Sequence, residues 1–360
     1  GTFDRGRRPP KIKAGADDGL KKIFAGIGVP AQKPFKPDPF QLQALSAVKR
    51  SDCLVTAPTG AGKTWIAEQA IARILKKGGQ SWYASPLKAL SNTKYSEFSK
   101  IFGPENVGIL TGDRKEKPEA PIIVGTTEIL RNQLYDAMYQ GTTLPTDFVV
   151  LDEAHFLGDE DRGVVWEEIM IYLPSRIPLL LLSATIGNAK VISQWLSSIR
   201  NKKCIVVEET KRPVPLYPLF FHPSGTLYPL LARGSPRKGR LYKKVATYVS
   251  NSRPLYLSPP HKLPPFGDIL RVLSKYRLLP AIFFLKSRAD CDKALDLCEE
   301  GLKYGRIKKD KRSRRIEELV ADNSHIARHR QVWHLEHLAV GAHHSGQLRA
   351  WKLILETLMT

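Results

Sequence analysis

Residues 57–64 read A-P-T-G-A-G-K-T, and the apolar run 148–151 leads straight into D-E-A-H at 152–155. No other feature restricts the fold as much, because each segment asks for a buried strand ending in a tight, site-forming turn. The first has the phosphate-loop spacing, four residues and then Gly62-Lys63-Thr64. Glycine is needed there because backbone N–H groups close around phosphate oxygens only where no Cβ intrudes. A helix after the loop points its positive end at the same anion. On this spacing Thr59, Gly60, Ala61 and Gly62 cradle a nucleotide, Lys63 reaches the β- and γ-phosphates, and the Thr64 hydroxyl ligates magnesium. Asp152 completes the metal shell, and Glu153 orients or deprotonates the attacking water. A chance glycine turn explains one such loop, but not a loop followed by an acidic pair behind a β-rich apolar run.

Around these segments, short apolar runs alternate with helical patterns. Strands are expected at 52–57, 80–84, 107–111, 122–125, 148–151 and 179–183, with helices at 63–76 and 88–101. Doubly buried strands alternating with helices specify a parallel α/β sheet with its site at the carboxyl edge. A second α/β pattern begins with a helix at 267–275 and a strand at 280–285. Residues 1–33 are basic and rich in glycine and proline, and read as an extended arm with a short helix near 18–26. Residues 222–266 read as an irregular basic insertion, and 305–315 as a basic run on a helix.

Charge sets the partner class. Lys and Arg number 56 against 35 acidic residues, a net charge of +21. An excess of that size points to a polyanion, since each cation placed at a phosphate releases condensed counterions. The four cysteines show no C-x-x-C spacing and read as reduced thiols of an intracellular protein, expected in the cytoplasm. The run 179–182 is strand-sized, so no membrane is expected. His325 and His329 lie four apart but lack H-E-x-x-H and nearby carboxylates, so a solvated helix face is favoured over zinc. Trp166 and Trp195 read as core rather than base-stacking residues.

Further blocks fall at strand ends: Ser85-Pro86-Leu87-Lys88, Thr111-Gly112-Asp113, Gly125-Thr126-Thr127 and Ser183-Ala184-Thr185. Hydroxyls, amides and a lysine in a row along one sheet edge suit a sugar–phosphate backbone better than base edges. Helix capping is the plainer explanation of each block alone.

Taken together, these blocks closely resemble superfamily-two helicases, and among them the superkiller-type (Ski-type) DExH-box RNA helicases. The subgroup likeness rests on F-x-x-D-P-F-Q at 35–41, R-G-V-V-W-E-E at 162–168, S-A-T-I-G-N at 183–188, R-P-V-P-L at 212–216 and G-A-H-H-S-G at 341–346. The resemblance covers roughly residues 34–360. It implies an α/β chain of tandem RecA-like parallel-sheet domains, the second incomplete. The expected boundaries are a basic arm at 1–33, an ATP-binding domain at 34–206, a basic linker or insertion at 207–266 and a partial second domain at 267–360. ATP-driven translocation along a single strand is implied, RNA before DNA, with RNA-decay or RNA-processing partners. Gln41 reads the adenine edge by this resemblance and Phe35 stacks on its face. Pro86, Lys88, Thr111, Thr126 and Thr127 hold nucleic-acid backbone, joined by Lys286, Ser287, Arg288, His343 and His344 from the second domain.

Ala154 and Gly187 depart mildly from the family pattern. After Thr360 a threonine- and glycine-rich block and then Q-x-x-G-R-x-G-R are expected, with the arginines that reach the γ-phosphate. The chain therefore reads as the first part of a larger helicase, one that binds nucleotide and turns it over poorly. Two alternatives stay open at this stage. One is a DNA-repair helicase with the same core, and the other is a non-catalytic nucleic-acid-binding fragment.

Overall fold

The computed structural model describes residues 12–27, 35–160, 163–232, 239–259, 261–301, 311–321, 326 and 328–359. Contacts divide the chain into two units: Lys33–Pro215, and a second built from the N-terminal segment and Leu216–Thr360. Among the described residues no helix is long and apolar enough to cross a membrane.

The chain enters the second unit first, through β1 (Gly15–Ala16) and α1 (Asp18–Ala25). The Lys33–Pro215 unit then runs α2 (Pro39–Ala47), β2 (Asp52–Thr56), α3 (Lys63–Leu75), β3 (Ser81–Ser85), α4 (Lys88–Phe102), β4 (Val107–Thr111), β5 (Arg114–Glu116) and β6 (Ile122–Thr126). It continues with α5 (Thr127–Tyr139), β7 (Phe148–Leu151), α6 (Gly163–Tyr172), β8 (Leu179–Ser183), α7 (Ala189–Arg200) and β9 (Cys204–Glu208). Its eight strands lie in the order β5-β4-β6-β3-β7-β8-β2-β9. Every neighbouring pair is parallel except the edge hairpin β4–β5.

Each residue of β2, β3, β4, β6, β7 and β8 is buried, which is why these strands read as continuous apolar runs rather than alternating ones. Successive residues serve opposite faces. Val55, Tyr83, Val124 and Val150 pack with Ile66, Ile71 and Phe98 of α3 and α4. Leu54, Trp82, Ile123 and Val149 pack with Leu130, Trp166 and Leu196 of α5, α6 and α7. Trp166 is fully buried and Trp195 packs against that same cluster, so both tryptophans belong to the core.

One charge lies inside the sheet. Asp52 opens β2 at 0% exposure and pairs with Arg200, itself 2% exposed, at 2.7 Å. Arg200 also donates to the carbonyls of Leu173 and Ile177, and Asp52 accepts the Leu179 N–H at 3.0 Å. This network pins the starts of β2 and β8 together, and with them the register that carries the loop after β2.

The second unit is built differently. Its sheet has three short strands, β1 beside β11 (Thr226–Pro229) beside β10 (Leu219–Phe221). Leu20 of α1 is buried with Leu227 and Val272. The Asp17 carboxylate caps Gly19 N–H and accepts the Tyr242 hydroxyl at 3.1 Å. The described part of the expected arm is therefore an edge strand and a packed helix. The stretch 222–266, expected as an irregular insertion, holds β11 and α8 (Lys243–Val249), with β10 just before it. Helices α9 (Phe266–Lys275), α10 (Arg288–Gly301), α11 (Lys311–Ala321), α12 (Val332–Leu338) and α13 (Arg349–Met359) follow.

The strand expected at 280–285 does not form. These residues join no ladder, and Phe284 stands 93% exposed. An apolar run becomes a central strand only when neighbours on both sides take its N–H and C=O groups, and no such neighbours flank it among the described residues. Most of the basic run at 305–315 lies outside the described residues, which resume with α11.

Candidate functional site

The parallel register brings the sequence blocks to one edge. Thr56 of β2 pairs with Ser183 of β8, Leu151 of β7 with Leu181, and Ala84 of β3 with Leu151. Ser85 pairs with Thr126 of β6, and Leu110 of β4 with Gly125. Since these strands run the same way, the residues after each of them share the carboxyl edge.

At that edge Gly60 and Gly62 take φ of +83° and +81°, the left-handed region that glycine enters without strain. A Cβ on Gly62 would also lie 2.6 Å from the Gln41 amide nitrogen. Thr59 and Gly60 are exposed and Ala61 is buried, while Lys63 and Thr64 open α3 half-buried. Lys63 Nζ donates to the carbonyls of Ala57 at 2.8 Å and Pro58 at 3.1 Å. Burial pushes the lysine below its usual value, against the pull of Glu153 and Asp152. Loop, lysine and acidic pair therefore share one electrostatic environment.

Asp152 follows β7, and its N–H extends the ladder to the Ala84 carbonyl at 2.9 Å. Its Oδ1 accepts the Glu153 N–H at 2.9 Å, and its Oδ2 accepts the Tyr83 hydroxyl at 2.5 Å. Glu153 sits at φ +60°, ψ +43°, a left-handed conformation that costs a non-glycine residue on the order of 1–3 kcal/mol. Burial raises the Glu153 carboxyl above its usual value, and the neighbouring Asp152 raises it further. His155 Nδ1 lies 3.3 Å from Glu153 Oε2.

The loop glycines, the half-buried lysine and a single aspartate fit a magnesium–nucleotide complex. Magnesium is usually held by one or two carboxylates together with phosphates and water. The Ser183 hydroxyl is buried beside the loop with no hydrogen-bond partner among the described residues, a polar group still to be satisfied.

Gln41 is 2% exposed; its Nε2 donates to the Gly62 carbonyl at 2.9 Å and its Oε1 accepts the Asp38 N–H at 2.8 Å. In this state its amide braces the phosphate loop. Phe35 is exposed and tilts against Trp65 of α3, with ring centroids 5.5 Å apart.

Further along the edge Thr111, Thr126 and Thr127 are buried and so is Pro86, while Lys88 opens α4 exposed. Thr126 occupies the N-cap of α5 without a side-chain capping bond. Thr111 Oγ1 donates to Asp113 Oδ1 at 2.9 Å, and Lys88 Nζ lies 3.5 Å from the same oxygen. Ser91 Oγ ties α4 to β6 through the Gly125 carbonyl at 3.0 Å.

In the second unit, Lys286, Ser287 and Arg288 are exposed at the start of α10, where Ser287 Oγ accepts the Asp290 N–H at 3.1 Å. His343 is exposed and reaches Glu356 Oε1 at 2.7 Å, whereas the His344 side chain is largely covered, 3.3 Å from Asp292. Asp292 is the hub of this group. It also accepts from Gln331 at 2.8 Å, Gln347 at 3.4 Å and Arg330. Burial works to raise the Asp292 carboxyl, but His344 and Arg330 outweigh it and hold it low. His329 stacks on Trp351 at 4.2 Å rather than lying on a solvated helix face, and His325 lies outside the described residues.

Sequence reasoning missed Tyr83 and Asp292. A tyrosine inside a strand whose other residues are all buried was a usable signal, because a buried phenol needs a partner. Asp292 gave no signal, since its partners come from residues 38 to 55 positions away.

The DEAD/DEAH box helicase family matches residues 38–192, the stretch from the N-cap of α2 to the start of α7. The chain carries a DEAD/DEAH box helicase domain. That domain contains the loop, the acidic pair and the row of hydroxyls just described. Relatives extend the likeness beyond it. The chain is 35% identical over 365 residues to the probable helicase HelY of Mycobacterium tuberculosis, covering 92% of this chain and 38% of that protein. It is 35% identical over 376 residues to the chloroplastic DExH-box ATP-dependent RNA helicase DExH15 of Arabidopsis thaliana, covering 90% and 31%. It is 34% identical over 354 residues to human Superkiller complex protein 2, covering 91% and 28%. The chain thus spans well under half the length of these relatives.

Proposed function

We propose that this chain is the ATP-binding core of a Ski-type RNA helicase, with Lys63, Asp152 and Glu153 as its catalytic group. The observation that carries this reading is the common parallel edge, where a half-buried lysine and an acidic pair share one electrostatic environment beside a row of hydroxyls and Lys88. Gly60, Gly62 and the start of α3 bind and orient the phosphates through backbone N–H groups. Lys63 leaves the Ala57 and Pro58 carbonyls to take the β/γ oxygens. Thr64 and Asp152 hold magnesium, which when bound neutralises charge on the transferred phosphoryl group. Glu153, raised by burial, orients the attacking water and takes its proton. Phe35 and Gln41 border the base end of the nucleotide.

Single-stranded RNA is the proposed partner, held by Pro86, Lys88, Thr111, Thr126 and Thr127 and, from the second unit, by Lys286, Ser287, Arg288, His343 and His344. Such contacts grip backbone without reading bases, as a translocating enzyme requires. RNA-decay or RNA-processing partners and a cytoplasmic setting complete the proposal; RNA as the nucleic acid is supported by the relative named as an ATP-dependent RNA helicase. The test is ATP turnover and binding with poly(A) RNA and with matched single-stranded DNA, using Lys63→Ala as control. Preference for RNA with Lys63-dependent nucleotide binding is expected. Preference for DNA points to a repair helicase, and nucleotide-independent RNA binding with no ATP affinity points to a binding module.

A further inference from the structure

We infer that Tyr83 is a positioning residue for the metal site, fixing the Asp152 carboxylate in the orientation that receives magnesium. The inference rests on the reading of Asp152 as the magnesium ligand. Both carboxylate oxygens are already engaged from the protein side, Oδ2 by the Tyr83 hydroxyl and Oδ1 by the Glu153 N–H. An ionised carboxylate has about four lone-pair sites, so each oxygen keeps capacity for a metal while the two donors stop the group from rotating.

The donor is itself immobile. Tyr83 is 0% exposed in the middle of β3, which is bonded to β6 on one side and β7 on the other. Its ring meets Phe98 edge-on at 5.1 Å and 82°, and Phe98 is 0% exposed as well. Tyr83 pairs in register with Val150, two residues before Asp152, so the phenol spans from one strand to the end of the next. Ala84 and Asp152 are joined directly through the backbone bond that continues this ladder. A shift of β3 against β7 therefore moves the carboxylate. β3 also leads into Ser85, Pro86 and Lys88, so the strand that leads to the nucleic-acid candidates grips the metal ligand through one hydroxyl.

A buried tyrosine also bonds a carboxylate for purely structural reasons, and the test must separate the two roles. Removing an outer-shell partner of a metal ligand typically costs about 10–100-fold in metal affinity. Tyr83→Phe keeps the ring and its packing and deletes only the donor. The measurement is binding of a fluorescent ATP analogue to the full 360-residue chain while magnesium is titrated, repeated in EDTA, with melting of the nucleotide-free protein as a folding check. Expected is an about tenfold rise in the magnesium midpoint with the metal-free affinity unchanged. An unchanged midpoint, or an equal loss with and without magnesium, overturns the positioning role. Asp152→Asn in parallel distinguishes the underlying reading. A raised midpoint there with none in Tyr83→Phe removes the tyrosine's role alone, and an unchanged midpoint in Asp152→Asn removes the metal reading and this inference with it.

Discussion

In Lys33–Pro215 the candidate groups are placed by backbone, whereas in the second unit His344 is placed by one carboxylate. Thr56, Ser85, Thr126, Leu151 and Ser183 reach a common edge because parallel ladders fix their register. His344 and the 343–346 loop are held by hydrogen bonds converging on Asp292 of α10. A ladder spreads the positioning over many bonds, each contributing about 0.5–1.5 kcal/mol, so no single ladder bond there decides the register. A hub concentrates it in one residue. The first arrangement suits groups that must keep their spacing, and the second suits groups that can be released by one change.

The buried Asp52–Arg200 pair is the exception within the ladder unit, and it yields the largest expected effect. Arg200→Ala leaves a carboxylate at 0% exposure without its cation and is expected to destabilise that unit by about 3–5 kcal/mol. A urea midpoint hardly moved in Arg200→Ala would show that the pair is not needed for the register. Asp292→Asn, at a site partly open to solvent, is expected to cost about 1 kcal/mol. Equal losses at the two sites would erase the contrast between ladder and hub.

Next in size is the loop lysine. Lys63→Ala removes a charged contact to phosphate and should weaken nucleotide binding by about 2–3 kcal/mol, while Glu153→Gln should leave binding intact and stop hydrolysis. If a direct binding assay weakened both variants alike, the division of labour between them would be wrong.

This contrast also explains how much could be read in advance. Strands 148–151 and 179–183 were legible because burial on both faces leaves an uninterrupted apolar run, and the glycines at 60 and 62 because the loop needs left-handed backbone. The strand expected at 280–285 failed because apolar composition reports burial potential, whereas a strand exists only where neighbours bond it. Tyr83 was half legible, as a polar tip in a fully buried strand, but its partner depended on the strand order. Asp292 was illegible, because four side chains from distant positions converge on it and leave no local pattern.

A smaller effect concerns RNA. Lys88 in the first unit and Arg288 in the second are exposed cations beside the two groups. Each phosphate contact to a single strand contributes about −0.7 to the slope of log affinity against log salt. Lys88→Ala and Arg288→Ala should each flatten that slope by about 0.7. A slope near zero in the parent chain would remove the polyanion reading of the +21 charge.

The smallest effect, and the sharpest test of the contrast, is opposite in sign at the two acidic centres. Burial and the neighbouring Asp152 raise Glu153 above its usual 4.5, so folding favours its protonated form. The resulting stability is complete below the unfolded value and is lost as pH rises through the higher folded one. Asp292 is held below its usual 3.8 by His344 and Arg330 against burial, so its contribution is present above that value and is lost as pH falls through the lower folded one. Glu153→Gln should therefore stabilise the chain at pH 7 and be near neutral at pH 4, while Asp292→Asn should destabilise it at pH 7 and be near neutral in strong acid. Both differences should stay within about 1 kcal/mol, since neither group is deeply buried. Urea midpoints of both variants at pH 7, of Glu153→Gln at pH 4 and of Asp292→Asn in strong acid decide the matter. If both shift the same way at pH 7, the environments of the two carboxylates do not differ, and hub and edge are electrostatically alike.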